Sequence, residues 1–119
     1  GAGGTQRLIR QIPLCQAKEL MFAGDHVSAE QAVALGLANR VVAADELMPA
    51  CIELAEKIAN KSPLALKILK RTLAAGADMS LPSALAHEQA MVSLTLDSAD
   101  AHEGCSAFLE KREANFKGR

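Results

Sequence analysis

Gly1-Ala2-Gly3-Gly4-Thr5-Gln6-Arg7-Leu8 is the first stretch of the chain whose residue types could do chemistry. Three glycines in four residues let the backbone reach conformations closed to other side chains and let a ligand come close to the amide groups. The helix start that follows presents unpaired N–H donors and a partial positive charge. Such a turn suits an anion, a polarised carbonyl or a held water. The other reactive side chains are dispersed. Cys15, Cys51 and Cys105 are odd in number and widely spaced in apolar helical stretches, a pattern of neither a disulfide framework nor a metal site. They are expected as small buried apolar groups. His26, His87 and His102 lack a partner at a defined spacing, and His87 and Glu88 are neighbours that point to different faces of a helix. Packing or surface roles are expected of all three, and no metal set is read from them.

The elements that must position these residues read as helices with clear start and stop signals. Leu14 to Ala23 form a short amphipathic helix after Pro13, closed by Gly24 in a left-handed conformation. Ser28-Ala29-Glu30-Gln31 is a capping box for a helix that ends at Gly36. Leu37 to Val42 is the one plausible strand, too short and solitary to form a sheet. From Asp45, the residues Leu47, Ala50, Cys51, Leu54, Ala55 and Ile58 recur at three- and four-residue steps, which predicts a helix that buries that face. Pro49 falls in its first turn, where a missing N–H costs little. Ser62-Pro63 restarts the chain as N-cap and first helical residue, with Leu66, Leu69 and Leu73 on one side until Gly76. Ser80 and Pro82 open the next helix, whose Leu81, Leu85, Val92 and Leu96 are expected to face a core while Glu88 and Gln89 face out. Ser98 caps the last helix, and Asp100 and Glu103 near its start favour the helix dipole. The candidate boundary lies near residues 61–63.

Composition narrows the partners. Thirteen basic residues against fourteen acidic ones leave a net charge of −1, so no long-range field gathers nucleic acid or an anionic membrane. With Phe22, Phe108 and Phe116 as the three aromatics, few large groups are present to fill a core. A single domain of this length is feasible with a thin core. No apolar run approaches the ~20 residues of a membrane span, and no charged-then-apolar leader is seen. A cytoplasmic protein, or one of the mitochondrial matrix, is expected.

Two distant motifs in the right order then bear on the family. The run Gly1 to Leu8 resembles the glycine turn of the enoyl-CoA hydratase/isomerase (crotonase) family, which there follows Thr-x-Pro and opens a helix. Ser98-Ala99-Asp100-Ala101-His102-Glu103-Gly104-Cys105-Ser106-Ala107-Phe108-Leu109-Glu110-Lys111-Arg112, then Phe116 and Gly118, is similar to the family's closing D-x-x-E-G-x-x-A-F-x-E-K-R-x-x-x-F signature. Between them, Ala17-Lys18-Glu19-Leu20, Gly24, Ala32, Gly36-Leu37 and Val41-Val42 resemble the family's middle segment. The resemblance covers essentially the whole chain.

The resemblance implies a mainly α piece with at most one short strand, the C-terminal helical part of a crotonase-like α/β spiral fold. Residues 1–61 would be the last helices of the core domain and residues 62–119 a helical oligomerisation and lid segment. It implies the C-terminal part of an enoyl-CoA hydratase, which adds water across the double bond of 2-enoyl-CoA thioesters in fatty-acid or related acyl-CoA metabolism. The CoA thioester would be the substrate, with no metal or redox cofactor, and the assembly a homotrimer or a dimer of trimers. Isomerases, dehalogenases and thioester hydrolases share the scaffold and differ mainly in upstream residues. A helical oligomerisation module without catalysis is the reading of another class. In the family two backbone N–H groups hold the thioester carbonyl and two glutamates handle water and proton. None of the fourteen acids of this chain matches those glutamates. Gly1 matches the glycine whose N–H turns to the catalytic water. Lys111 matches a lysine that reaches a CoA phosphate of the neighbouring subunit, a point charge suited to phosphate. Val92 falls where some hydratases place an aromatic residue near the adenine. Phe108 and Phe116 are expected to anchor the last helix in the core or across a subunit interface.

Overall fold

A computed structural model describes all 119 residues, Gly1–Arg119. Seven α-helices follow one another: α1 (Gly4–Gln11), α2 (Leu14–Ala23), α3 (Ala29–Ala34), α4 (Leu47–Ala59), α5 (Pro63–Gly76), α6 (Leu81–Leu96) and α7 (Ala99–Glu110). A single 3-10 turn, Ala44–Glu46, leads into α4. No strand forms, and none of these helices is long and apolar enough to cross a membrane. The expected strand at residues 37–42 is turn and irregular backbone, since no second extended segment is available to pair with it.

The helix boundaries follow their local chemistry. Ser28 accepts from the Gln31 amide while the Gln31 side chain accepts from the Ser28 amide, a complete capping box. Ser62 and Ser98 cap α5 and α7 in the same way, accepting from the amides of Ala65 and Ala101. Gly24 ends α2 at φ 72°. Gly36 follows α3 at φ 80°, with its own N–H donated to the Val33 carbonyl (3.0 Å) and the Leu37 N–H to that of Ala32 (2.8 Å). That pair of bonds is the Schellman closure, which requires a left-handed residue.

The chain divides into two compact units, Gly1–Ala50 and Cys51–Arg119, with the division inside α4. Within the second unit the Ser62 hydroxyl is bonded to Asp100 and ties the start of α5 to the first turn of α7. In the first unit α1 packs on α2, with Ile12 at their junction and Ala17 buried. In the second, α5 packs chiefly on α6, and α6 also meets α7.

The buried faces differ from those expected. On α5 the half-buried residues are Leu64, Leu66, Ile68, Thr72 and Ala75, and on α6 they are Ala84, His87, Met91 and Thr95. The two helices come close where Gly76 meets Ala84, whose Cβ stands 3.8 Å from the position a Cβ at Gly76 would take. Leu69 and Leu73 on α5 and Leu81, Leu85, Val92 and Leu96 on α6 are instead exposed. Leu47, Leu54 and Ile58 of α4 are exposed as well, and so are all three cysteines. Ile12, Ala17 and Ala107 are the buried apolar residues, so the chain's own elements offer no second surface to those faces.

The Gly36 turn gives a clean test of this local logic. An added Cβ there would meet nothing within 4 Å, so any penalty comes from the left-handed backbone alone. Gly36→Ala is expected to lower stability by ~1 kcal/mol without change in the denaturant m-value, measured by urea unfolding. An unchanged midpoint would mean that the turn relaxes out of the left-handed region.

Candidate functional site

The last helix and the segment after it form the most densely bonded part of the chain. Asp100 sits in the first turn of α7, is 3% exposed, and faces the returning C-terminal segment. Its carboxylate accepts from the Ser62 hydroxyl (2.6 Å) and from the backbone N–H groups of Lys117 (2.6 Å) and Gly118 (2.9 Å). Its own N–H is donated to the Arg119 carbonyl (3.0 Å). One turn on, Glu103 accepts two bonds from the Arg112 guanidinium (2.5 and 2.9 Å) and one from the Asn115 N–H (2.8 Å). The (i, i+3) spacing puts both carboxylates on one face of α7, where they hold residues 112–119 against it. The sequence reading assigned Asp100 and Glu103 to the helix dipole and missed this role. The signal present was two acids one turn apart followed by a short polar tail.

Arg112 is fully committed. Besides its fork on Glu103, its Nε donates to Glu110 (2.6 Å) and a terminal nitrogen to the Glu113 carbonyl (3.1 Å). Lys111, its neighbour, is exposed and has no ion pair. It lies past the end of α7 in a left-handed conformation, φ 53° and ψ 41°, rather than on the helix surface. Of two adjacent cations, then, the arginine is bound to carboxylates and the lysine is available to a ligand. A groove of ≈ 660 Å³ opens beside this turn, floored by Pro63, Ala107 and Phe108 and edged by Lys61, Asn60 and Arg112. Phe116 rests on Gly104, its ring 3.5 Å from where a Cβ would stand, and so does anchor the tail on α7. Phe108 is 83% exposed and anchors nothing within the chain.

Gly1 begins the turn before α1 and is exposed, its carbonyl accepting from the Gly4 N–H (3.1 Å). Gly3 follows at φ 89° and caps α1. Gly1 and Lys111 belong to different compact units. In the first unit, Glu19, Asp25 and His26 line a smaller hollow of ≈ 330 Å³. No group of three or more His, Cys, Asp or Glu residues is arranged to hold a metal ion.

The electrostatics of the clasp follow from its bonds. The Arg112 fork, reinforced by the Asn115 amide, lowers the Glu103 pKa from 4.5 to about 2. Glu103 and Glu110 in turn raise that of Arg112. Burial pushes Asp100 upward, but the Ser62 hydroxyl and the amides of Lys117, Gly118 and Arg119 outweigh it and hold the carboxyl below its ordinary value. The folded-state pKa of Glu103 lies below its ordinary one. Its contribution is therefore complete above pH 4.5 and lost as pH falls through about 2. Thermal denaturation across that range should show a melting temperature that drops toward acid in the wild type and much less in Glu103→Gln, which starts lower at neutral pH. Parallel curves for the two proteins would mean that the pair contributes nothing to folding.

Residues 1–119 match the family model described as Enoyl-CoA hydratase/isomerase. The chain is 41% identical over 119 residues to the 2,3-dehydroadipyl-CoA hydratase of Escherichia coli (strain K12), covering 100% of this chain and 47% of that protein. It is 37% identical over 120 residues to the short-chain-enoyl-CoA hydratase of Clostridium acetobutylicum, covering 100% and 46%. The crystal structure of enoyl-CoA hydratase from Bacillus anthracis superposes with a TM-score of 0.97 at 39% identity, over 100% of this chain and 46% of that one. The chain thus spans about half the length of the relatives it matches. With a family model matched from its first residue to its last, the chain belongs to the enoyl-CoA hydratase/isomerase family.

Proposed function

We propose that the protein carrying this chain is a 2-enoyl-CoA hydratase and that the chain is its C-terminal helical part. The observation that carries this reading is the match along the whole chain, at 37–41% identity, to relatives named as hydratases. The closing signature at residues 98–118 supports the C-terminal placement. Residues 1–61 then belong to the end of the core domain and residues 62–119 to a helical segment for assembly and for covering the site. The exposed leucines of α5 and α6 support a homotrimer or dimer of trimers, in which a neighbouring copy covers them.

In this reading the reaction adds water across the C2–C3 double bond of a CoA thioester. Two backbone N–H groups stabilise the enolate-like oxygen as its charge develops, and two glutamates outside this chain manage water and proton. Gly1 supplies a backbone group near the water, and Lys111 binds a phosphate of CoA. No cofactor beyond the substrate's own CoA is required, and the cytoplasm or a mitochondrial matrix is the compartment. The family description also names isomerases, and the number of upstream glutamates separates the two reactions: two serve a hydratase, one an isomerase.

Because Lys111 is remote from the reacting carbons, its contact contributes similarly in ground and transition states. Lys111→Ala in the full-length enzyme should therefore raise KM for CoA thioesters several-fold with kcat little changed, an effect that shrinks as salt rises. Pantetheine thioesters, which lack the nucleotide phosphates, should be indifferent, whereas equal losses with both substrates would make Lys111 a purely structural residue. The 119 residues alone should leave crotonyl-CoA at its uncatalysed rate in a direct hydration assay. Turnover by the pure chain would overturn the placement of the acid–base groups outside it.

A further inference from the structure

Two turns in this chain close by the same pair of hydrogen bonds but with different residues at the left-handed position. After α3 that position is Gly36 (φ 80°). After α7 it is Lys111 (φ 53°), with the Lys111 N–H donated to the Phe108 carbonyl (3.3 Å) and the Arg112 N–H to that of Ala107 (3.0 Å). Glycine takes this conformation freely, whereas a lysine is strained by its Cβ. A strained residue persists where its surroundings leave it no alternative.

The surroundings here are specific. Arg112, next in the chain, is held at three points, by Glu103, Glu110 and the Glu113 carbonyl. Glu103 is itself fixed in α7 and bonded to the Asn115 N–H. The chain on the far side of Lys111 is thus tied back onto the helix that ends just before it. We infer that Glu103 and Arg112 are positioning residues for the CoA-binding cation: their bidentate pair locks the left-handed turn, so that the Lys111 ammonium and not the Arg112 guanidinium is offered to a substrate phosphate. This rests on the phosphate-binding reading of Lys111 and adds to it why a lysine stands where a glycine would fold more readily.

The test is a set of variants in the full-length enzyme, read by KM, kcat and melting temperature. Lys111→Gly should raise KM for CoA thioesters as Lys111→Ala does, yet melt higher than Lys111→Ala, because it releases the strain. Arg112→Gln and Glu103→Gln should each raise KM several-fold for CoA thioesters with kcat little changed, leave pantetheine thioesters unaffected, and add nothing when combined with Lys111→Ala. Arg112→Lys, which keeps the charge but loses the planar fork, should fall in between. It keeps the test open should Arg112→Gln fold poorly. If Lys111→Ala raises KM but Glu103→Gln and the Arg112 variants do not, or if they raise it equally in the Lys111→Ala background, the positioning role falls and the phosphate contact stands. If Lys111→Ala itself leaves KM unchanged, both fall. A Lys111→Gly protein that melts no higher than Lys111→Ala would overturn the strained turn.

Discussion

The carboxylate of Asp100 is the point on which the second unit depends. It receives the hydroxyl that caps α5 and two backbone N–H groups of the C-terminal segment, while its own amide is bonded to the last residue of the chain. A buried carboxylate is costly unless its lone pairs are met, and here they are met by three donors from two separate parts of the sequence. Ser62 serves twice, since its oxygen accepts from Ala65 while its proton goes to Asp100. The start of α5, the first turn of α7 and the tail are therefore coupled through one charged group, with Glu103 and Arg112 continuing the connection one turn further.

Against this polar anchoring, apolar burial is slight. Three apolar residues are buried in the chain, and its leucine-bearing faces point outward. The α5–α6 pair comes close at Gly76 and Ala84, while Leu69, Leu73, Leu81 and Leu85 stay exposed. Such faces fit a segment that completes its core against further protein, in keeping with a chain that spans about half the length of its relatives.

The same economy of large groups bears on the candidate site. With the guanidinium of Arg112 spent on carboxylates, Lys111 beside it is the neighbouring cation without an ion pair, displayed from a turn and not from the side of a helix. In the proposed function this cation serves binding, and the reaction's proton chemistry belongs to groups elsewhere in the enzyme.

Caps and closures were legible from residue types alone: Ser28 with Gln31, Ser62 with Pro63, Ser98, and the glycines that end α2 and α3 stand where the chain's chemistry puts them. The matches of Gly1 to Leu8 and of residues 98–118 to family motifs were legible too, and with them the family. These are local facts, settled by hydrogen bonds that span three to five residues. Which face of α6 is covered, whether the cysteines are buried, and that residues 37–42 form no strand depend on surfaces remote in sequence. There the periodicity of leucines pointed the wrong way. The left-handed backbone of Lys111 has no signature in the residue itself. It belongs to the folded turn, where Arg112 closes onto Glu103 nine residues back.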